Sequence, residues 1–95
     1  MKDTLGQELH RGDFVLITFN NYLIPSLIIS TTDRAARHKT DISTNTYSIN
    51  SYDHIIKVSE GLIAKVVSEN EYSRMKNLCE NVLEIKADLI ENNIL

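Results

Sequence analysis

The chain has 95 residues, 42% hydrophobic and 24% charged, with a formal net charge of −3; this fits one ordinary globular domain, residues 1–95, with a thin core that dimerisation would reinforce. Its single cysteine, Cys79, excludes an intramolecular disulfide, and the lack of a leader or of any apolar run near the roughly 20 residues that span a bilayer adds to the expectation of a reducing, cytoplasmic setting and no membrane contact. The absence of net positive charge argues against nonspecific nucleic-acid binding, which rests on neutralising phosphates, unless a local basic patch supplies it.

In chain order, the first element is a strand over Phe14 to Phe19, β-branched and aromatic in character and introduced by the turn-forming Gly12-Asp13. Asn20-Asn21 follows, two residues that tolerate positive φ, so the chain is expected to reverse there. Pro25 cannot donate a ladder hydrogen bond, which places it at a strand beginning, an edge or a bulge and puts the next strand from about Leu27. Thr31 to Thr40 is polar and reads as a long exposed loop carrying Arg34, Arg37, His38 and Lys39. Two weaker strands are predicted at Ile42 to Ile49 and His54 to Val58, with Asn50-Ser51 turning between them. Leu62 to Val67 is either a short closing strand or the approach to a helix.

Near residue 68 the hydrophobic period changes. Ser68-Glu69-Asn70-Glu71 fits a capping box, and the spacing Met75, Leu78, Val82, Ile85, Leu89 predicts an amphipathic helix over about 69 to 92, its stripe widened by Cys79, Leu83 and Ile90. Glu69 and Glu71 would favour the positive end of its dipole. The fold class expected is α+β: a mostly antiparallel body over residues 8–67 and a C-terminal helix within 68–95. Residues 1–67 hold seven Lys/Arg and seven Asp/Glu, whereas residues 68–95 hold three and six, so the net negative charge belongs to the helical segment.

The stretch from Leu5 to Val15, Leu-Gly-Gln-Glu-Leu-His-Arg-Gly-Asp-Phe-Val, resembles the opening of small SH3-like or KOW-like barrel proteins, including short accessory proteins of tailed phages. The likeness covers about one fifth of the chain, and Ser26 stands where such proteins usually place a second glycine. It implies a small SH3-like β-barrel that binds protein segments or nucleic acid along its edge and loops.

Two binding chemistries are open. The cluster Arg34, Arg37, His38 and Lys39, with Tyr47 or Tyr52 for base stacking, is the candidate nucleic-acid interface, although Asp33 and Asp41 flank it and a solvated polar loop carries such charges anyway. The helix stripe Met75, Leu78, Val82, Ile85 and Leu89 is the candidate protein interface, and it either packs on its own body or pairs with a second copy as a homodimer. The acidic outer face, Glu69, Glu80, Glu84, Asp88 and Glu91, suits a basic partner or plain solvation. Catalysis is not expected: His10, His38, His54 and Cys79 have no metal-ligand spacing, Gly6, Gly12 and Gly61 form no phosphate loop, and Cys79 beside the apolar stripe is a poor nucleophile. No cofactor or metal follows. The function expected is that of a non-enzymatic accessory protein that acts through a protein partner on a host or phage component, with nucleic-acid binding through residues 34–39 as the alternative.

Overall fold

A computed structural model describes residues 1–41, 46–50 and 54–95. Five strands precede two helices: β1 (Phe14–Phe19), β2 (Tyr22–Thr31), β3 (Ala36–Lys39), β4 (Tyr47–Ile49), β5 (Ile55–Val58), α1 (Glu60–Glu69) and α2 (Arg74–Glu91). The strands form one antiparallel sheet in the order β4-β3-β2-β1-β5. The class is therefore α+β. β4 and β5 are the two edges of this order, and among the described residues no pairing closes the sheet into a barrel. The predicted turn at Asn50-Ser51 between two neighbouring strands gives way to strands at opposite edges; Ser51 itself, like Ile42 to Asn45, lies outside the described residues.

Local chemistry explains the central hairpin. Asn20 and Asn21 take φ of 48° and 65°, and Phe19 pairs with Tyr22, so these two residues alone make the reversal that the right-handed strand twist favours. β2 starts at Tyr22 rather than near Leu27 and carries Pro25 in its interior, opposite Leu16. Ile28 donates its amide toward β1's extension, to the Asp13 carbonyl, so strand alternation turns the Pro25 nitrogen away from β1, toward a side where β3 has already ended at Lys39. The missing donor costs no ladder bond. Gly12, at φ 89°, donates to the Ile28 carbonyl while Ile28 donates to Asp13, so two residues oppose one in a bulge whose first position needs positive φ.

Both faces of the sheet are covered. Phe14 and Leu27 face α1 and α2 and pack with Ile63, Cys79, Val82 and Ile85. Val15, Ile17, Ile28, Ala36 and Ile55 face the other way and are closed over by Met1 and Leu9. This is why Phe14 to Ile17 of β1 read as a continuous apolar run instead of alternating.

The helical region differs from expectation at its start. Residues 62–67 belong to α1, whose cap is Ser59, with Oγ accepting the Leu62 amide at 3.0 Å. The chain breaks at Asn70, and α2 begins at Arg74 with Ser73 as cap, Oγ accepting the Lys76 amide at 3.0 Å. The Ser68 hydroxyl instead donates to the Lys65 carbonyl within α1, and Glu69 and Glu71 sit before α2 rather than in its first turn. Ile63, Val66 and Val67 recur at helical spacing, and burying them against the same core extends helix back to residue 60. The β body thus ends at Val58. α2 stops where predicted: Asn93 takes φ 58°, its amide donates to Ile90 and that of Ile94 to Leu89, the left-handed cap that satisfies the last carbonyls.

The N-terminal segment is held by one carboxylate. Asp3, 1% exposed, accepts at Oδ1 from the amides of Leu5 (3.0 Å) and Gln7 (2.7 Å), and at Oδ2 from Gln7 Nε2 (3.0 Å) and the Lys57 amide (2.8 Å). Thr4 also donates to the Ile55 carbonyl at 2.9 Å. Together these bonds cover the outer edge of β5 and hold Met1 and Leu9 over the core. Asp3→Ala leaves several donors without their acceptor, and the expected loss is about 3 kcal/mol, seen as a fall of more than about 10 °C in the thermal midpoint; Asp33→Ala, in the exposed β2–β3 turn, serves as the neutral reference.

Candidate functional site

The basic stretch is not a loop. β2 runs to Thr31 and β3 starts at Ala36, so Arg34 lies in a short turn and Arg37, His38 and Lys39 lie on a strand between β2 and β4. Thr32 fixes that turn, its Oγ1 accepting the Ala35 amide at 3.1 Å and its amide donating to the Ala35 carbonyl at 2.8 Å. The polar composition misled because only Ala36 of β3 is fully buried. Strand alternation divides the cluster: Arg37 and Lys39 face the helix side, whereas His38 faces the side of Ala36. Tyr47 pairs with His38, their ring centroids 6.1 Å apart, so it too lies away from the two cations. Tyr52 is outside the described residues.

His38 has a structural role. The buried Ser26 hydroxyl donates to the Lys39 carbonyl at 3.0 Å and so accepts from His38 Nδ1 at 2.9 Å, which fixes the proton on Nδ1. This pair ties the end of β3 to β2 where the regular register stops. Burial pushes the His38 imidazole below its usual range. Arg34, Arg37 and Lys39 make no ion pair among the described residues.

The helix stripe is largely internal. Val82 and Ile85 are buried under the sheet, and Met75 and Leu89 pack at the margin of the same cluster. The stripe therefore covers its own sheet, the first of the two explanations the sequence left open, and Val82 and Ile85 are not free for a partner. Cys79 is buried among them, which pushes its thiol up. Leu78 is half-buried and lines a surface recess.

That recess belongs to a feature absent from the sequence reading. At the β1–β2 hairpin, Phe19, Tyr22 and Leu23 are 63%, 57% and 43% exposed. A recess of about 260 Å³ lies between the hairpin and α2, lined by Tyr22, Leu23, Ile24, Arg74, Met75 and Leu78. A second, of about 370 Å³, is lined by Thr18, Phe19, Asn20, Asn21, Tyr22, Leu23 and His54. Arg74 stacks over the Tyr22 ring, 5.0 Å from its centroid, and Tyr72 in the preceding turn is 93% exposed. Neither recess is lined by a carboxylate. The signal available in the sequence was the pair of aromatics flanking Asn20-Asn21, which also serves as ordinary strand composition.

Comparison with protein-family models, with curated proteins and with solved structures gives no match. Among the described residues no helix is long and apolar enough to cross a membrane, and no three His, Cys, Asp or Glu side chains come together to hold a metal.

A folded-state pKa below the unfolded value of about 6.5 makes the unfolded chain bind the proton first, so the contribution of neutral His38 is complete above that value and declines as pH falls toward the lower folded pKa. Urea melts between about pH 7.5 and about pH 5, which bracket that unfolded value, should show a loss of stability on acidification that is smaller in His38→Gln.

Proposed function

We propose that the protein is a non-catalytic binding module whose β1–β2 hairpin engages a partner protein. The observation that carries this is the exposure of Phe19, Tyr22 and Leu23 around a two-residue turn. Aromatic residues and arginine are the side chains that anchor protein interfaces, and exposed apolar groups set beside ready recesses gain most from being covered. The chemistry also selects the partner. Arg74 has no carboxylate partner among the described residues and no acid lines either recess, so the complementary surface is an apolar anchor flanked by acidic groups. The accessory role on a host or phage component, which the resemblance of Leu5 to Val15 implies, is part of this reading. So is the small SH3-like barrel: a four-strand meander with the fifth strand returning beside the first supports it, because curling such a sheet brings its edges β4 and β5 together.

A second reading, nucleic-acid binding through β3, is favoured by Arg34, Arg37 and Lys39 having no counter-ion among the described residues.

The two are separated by parallel co-purification of the wild type, a Phe19→Ser/Tyr22→Ser variant and an Arg37→Ala/Lys39→Ala variant. The first reading expects one stoichiometric protein with the wild type, its affinity lowered at least about tenfold by the hairpin changes and left unchanged by the β3 changes. A partner retained equally by all three refutes the hairpin as the site.

A further inference from the structure

We propose that the cross-strand row Ser30, Arg37 and Ser48 is a binding site for one phosphodiester of a nucleic-acid strand, with Lys39 and Arg34 meeting the neighbouring phosphates. The proposal rests on the second reading above and gives it an address.

The register builds the row. β2 and β3 pair as Leu27↔Lys39 and Ile28↔His38, then shift, so that Ser30 rather than Ile29 stands opposite Arg37. Without that bulge a hydrophobic side chain would flank the guanidinium; with it, Ile29 packs in the helix-side core and a hydroxyl takes its place. On the other side Arg37 pairs with Ser48 of β4. Strands lie about 4.8 Å apart, which sets one serine on each side of Arg37 on the same sheet face. Guanidinium N–H groups form a planar fork that fits two oxygens of a phosphate, and the flanking hydroxyls supply two further donors.

The setting suits an anion. The row borders a recess of about 90 Å³ whose other walls are Thr31, Thr32, Ala35 and Ala36, with no carboxylate among them. Its size admits a single small group. Arg37 is exposed and has no ion pair among the described residues, so nothing described competes for it.

The arrangement of charge chooses between phosphate sources. A phosphomonoester carries close to two negative charges and is met by several cations converging on one point. Here the cations are laid out singly: Lys39 is on the same face as Arg37, two positions and about 6.6 Å further along the strand, and Arg34 is in the turn before it. A series of single cations matches a series of single charges, as along a nucleic-acid backbone. Tyr47 and His38 point to the opposite face and take no part in the row.

The test is fluorescence anisotropy of a fluorescein-labelled oligothymidylate against the full chain across a salt series. With three cations each releasing counterions from a single strand, log K against log salt should have a slope of about −2. Arg37→Ala should weaken binding at least about tenfold and bring that slope about 0.7 closer to zero. The Ser30→Ala/Ser48→Ala variant should weaken it several-fold with the slope unchanged, because a neutral donor releases no ion. Lys65→Ala, on the exposed side of α1, should change neither. All four positions are exposed, and circular dichroism verifies that the variants fold. Oligothymidylate binding that Arg37→Ala leaves intact overturns the site while the nucleic-acid reading stands. No binding by the wild type at low salt overturns both, and so does binding of a fluorescein-labelled phosphoserine peptide, titrated in parallel, where the oligothymidylate does not bind.

Discussion

A sheet whose central strands are apolar on both faces must be covered twice, and the rest of this molecule follows from that requirement. Phe14 and Leu27 point one way, Val15, Ile17 and Ile28 the other. Burying one set alone would leave several large side chains in water, each at a cost of about 2 kcal/mol. The C-terminal half of the chain supplies the first cover, as α1 and α2. Among the described residues the second cover is the N-terminal segment, too short to bring much apolar surface, so Met1 and Leu9 must be held in place by polar bonds. Asp3 does this with four acceptor bonds, all satisfied within the fold. A buried carboxylate is tolerable only when so paired, and among the described residues no buried side-chain polar atom is left without a partner.

With both faces occupied, what remains for binding is the periphery of the sheet. At one end the β1–β2 hairpin lies beside the start of α2, yet Phe19, Tyr22 and Leu23 stay largely exposed. At the other, β3 and β4 extend past the region that α2 packs against, and their helix-side face is polar: Ser30, Arg37, Ser48. These two surfaces differ in chemistry in the way their coverage differs. The hairpin is an apolar surface with one stacked cation; the β3 face is a hydroxyl-lined cation row. Both are set on paired strands, so their side chains are positioned before any ligand arrives, which reduces the ordering cost of binding.

The helix pair also distributes charge. Lys86 lies 4.8 Å from the centre of the Phe14 ring and 3.5 Å from Glu60, joining α2 to α1 and to β1 at one point. Lys76 and Glu80 pair along α2 at 3.5 Å. Glu84, Asp88 and Glu91 stay on the outer, solvated face.

Local chemistry alone determined several features of this protein. The β1 strand, the reversal at Asn20-Asn21, the turn at Gly12-Asp13 and the long amphipathic helix all depend on the conformational preferences of neighbouring residues, which a sequence displays directly. Where two local signals competed, tertiary packing decided. Ser68 offered a plausible cap, yet the helix starts at Ser59 and again at Ser73, because Ile63, Val66 and Val67 had a core to enter. The segment from Ala36 to Lys39 looked like a solvated loop, yet it is a strand, because its backbone finds partners in β2 and β4 and needs only one buried side chain to stay. The facing of Arg37 and His38 to opposite sides, the bulge that places Ser30 beside Arg37, and the four bonds converging on Asp3 all depend on register between segments far apart in the chain. No single stretch of sequence carries that information, since register is fixed only when the strands meet.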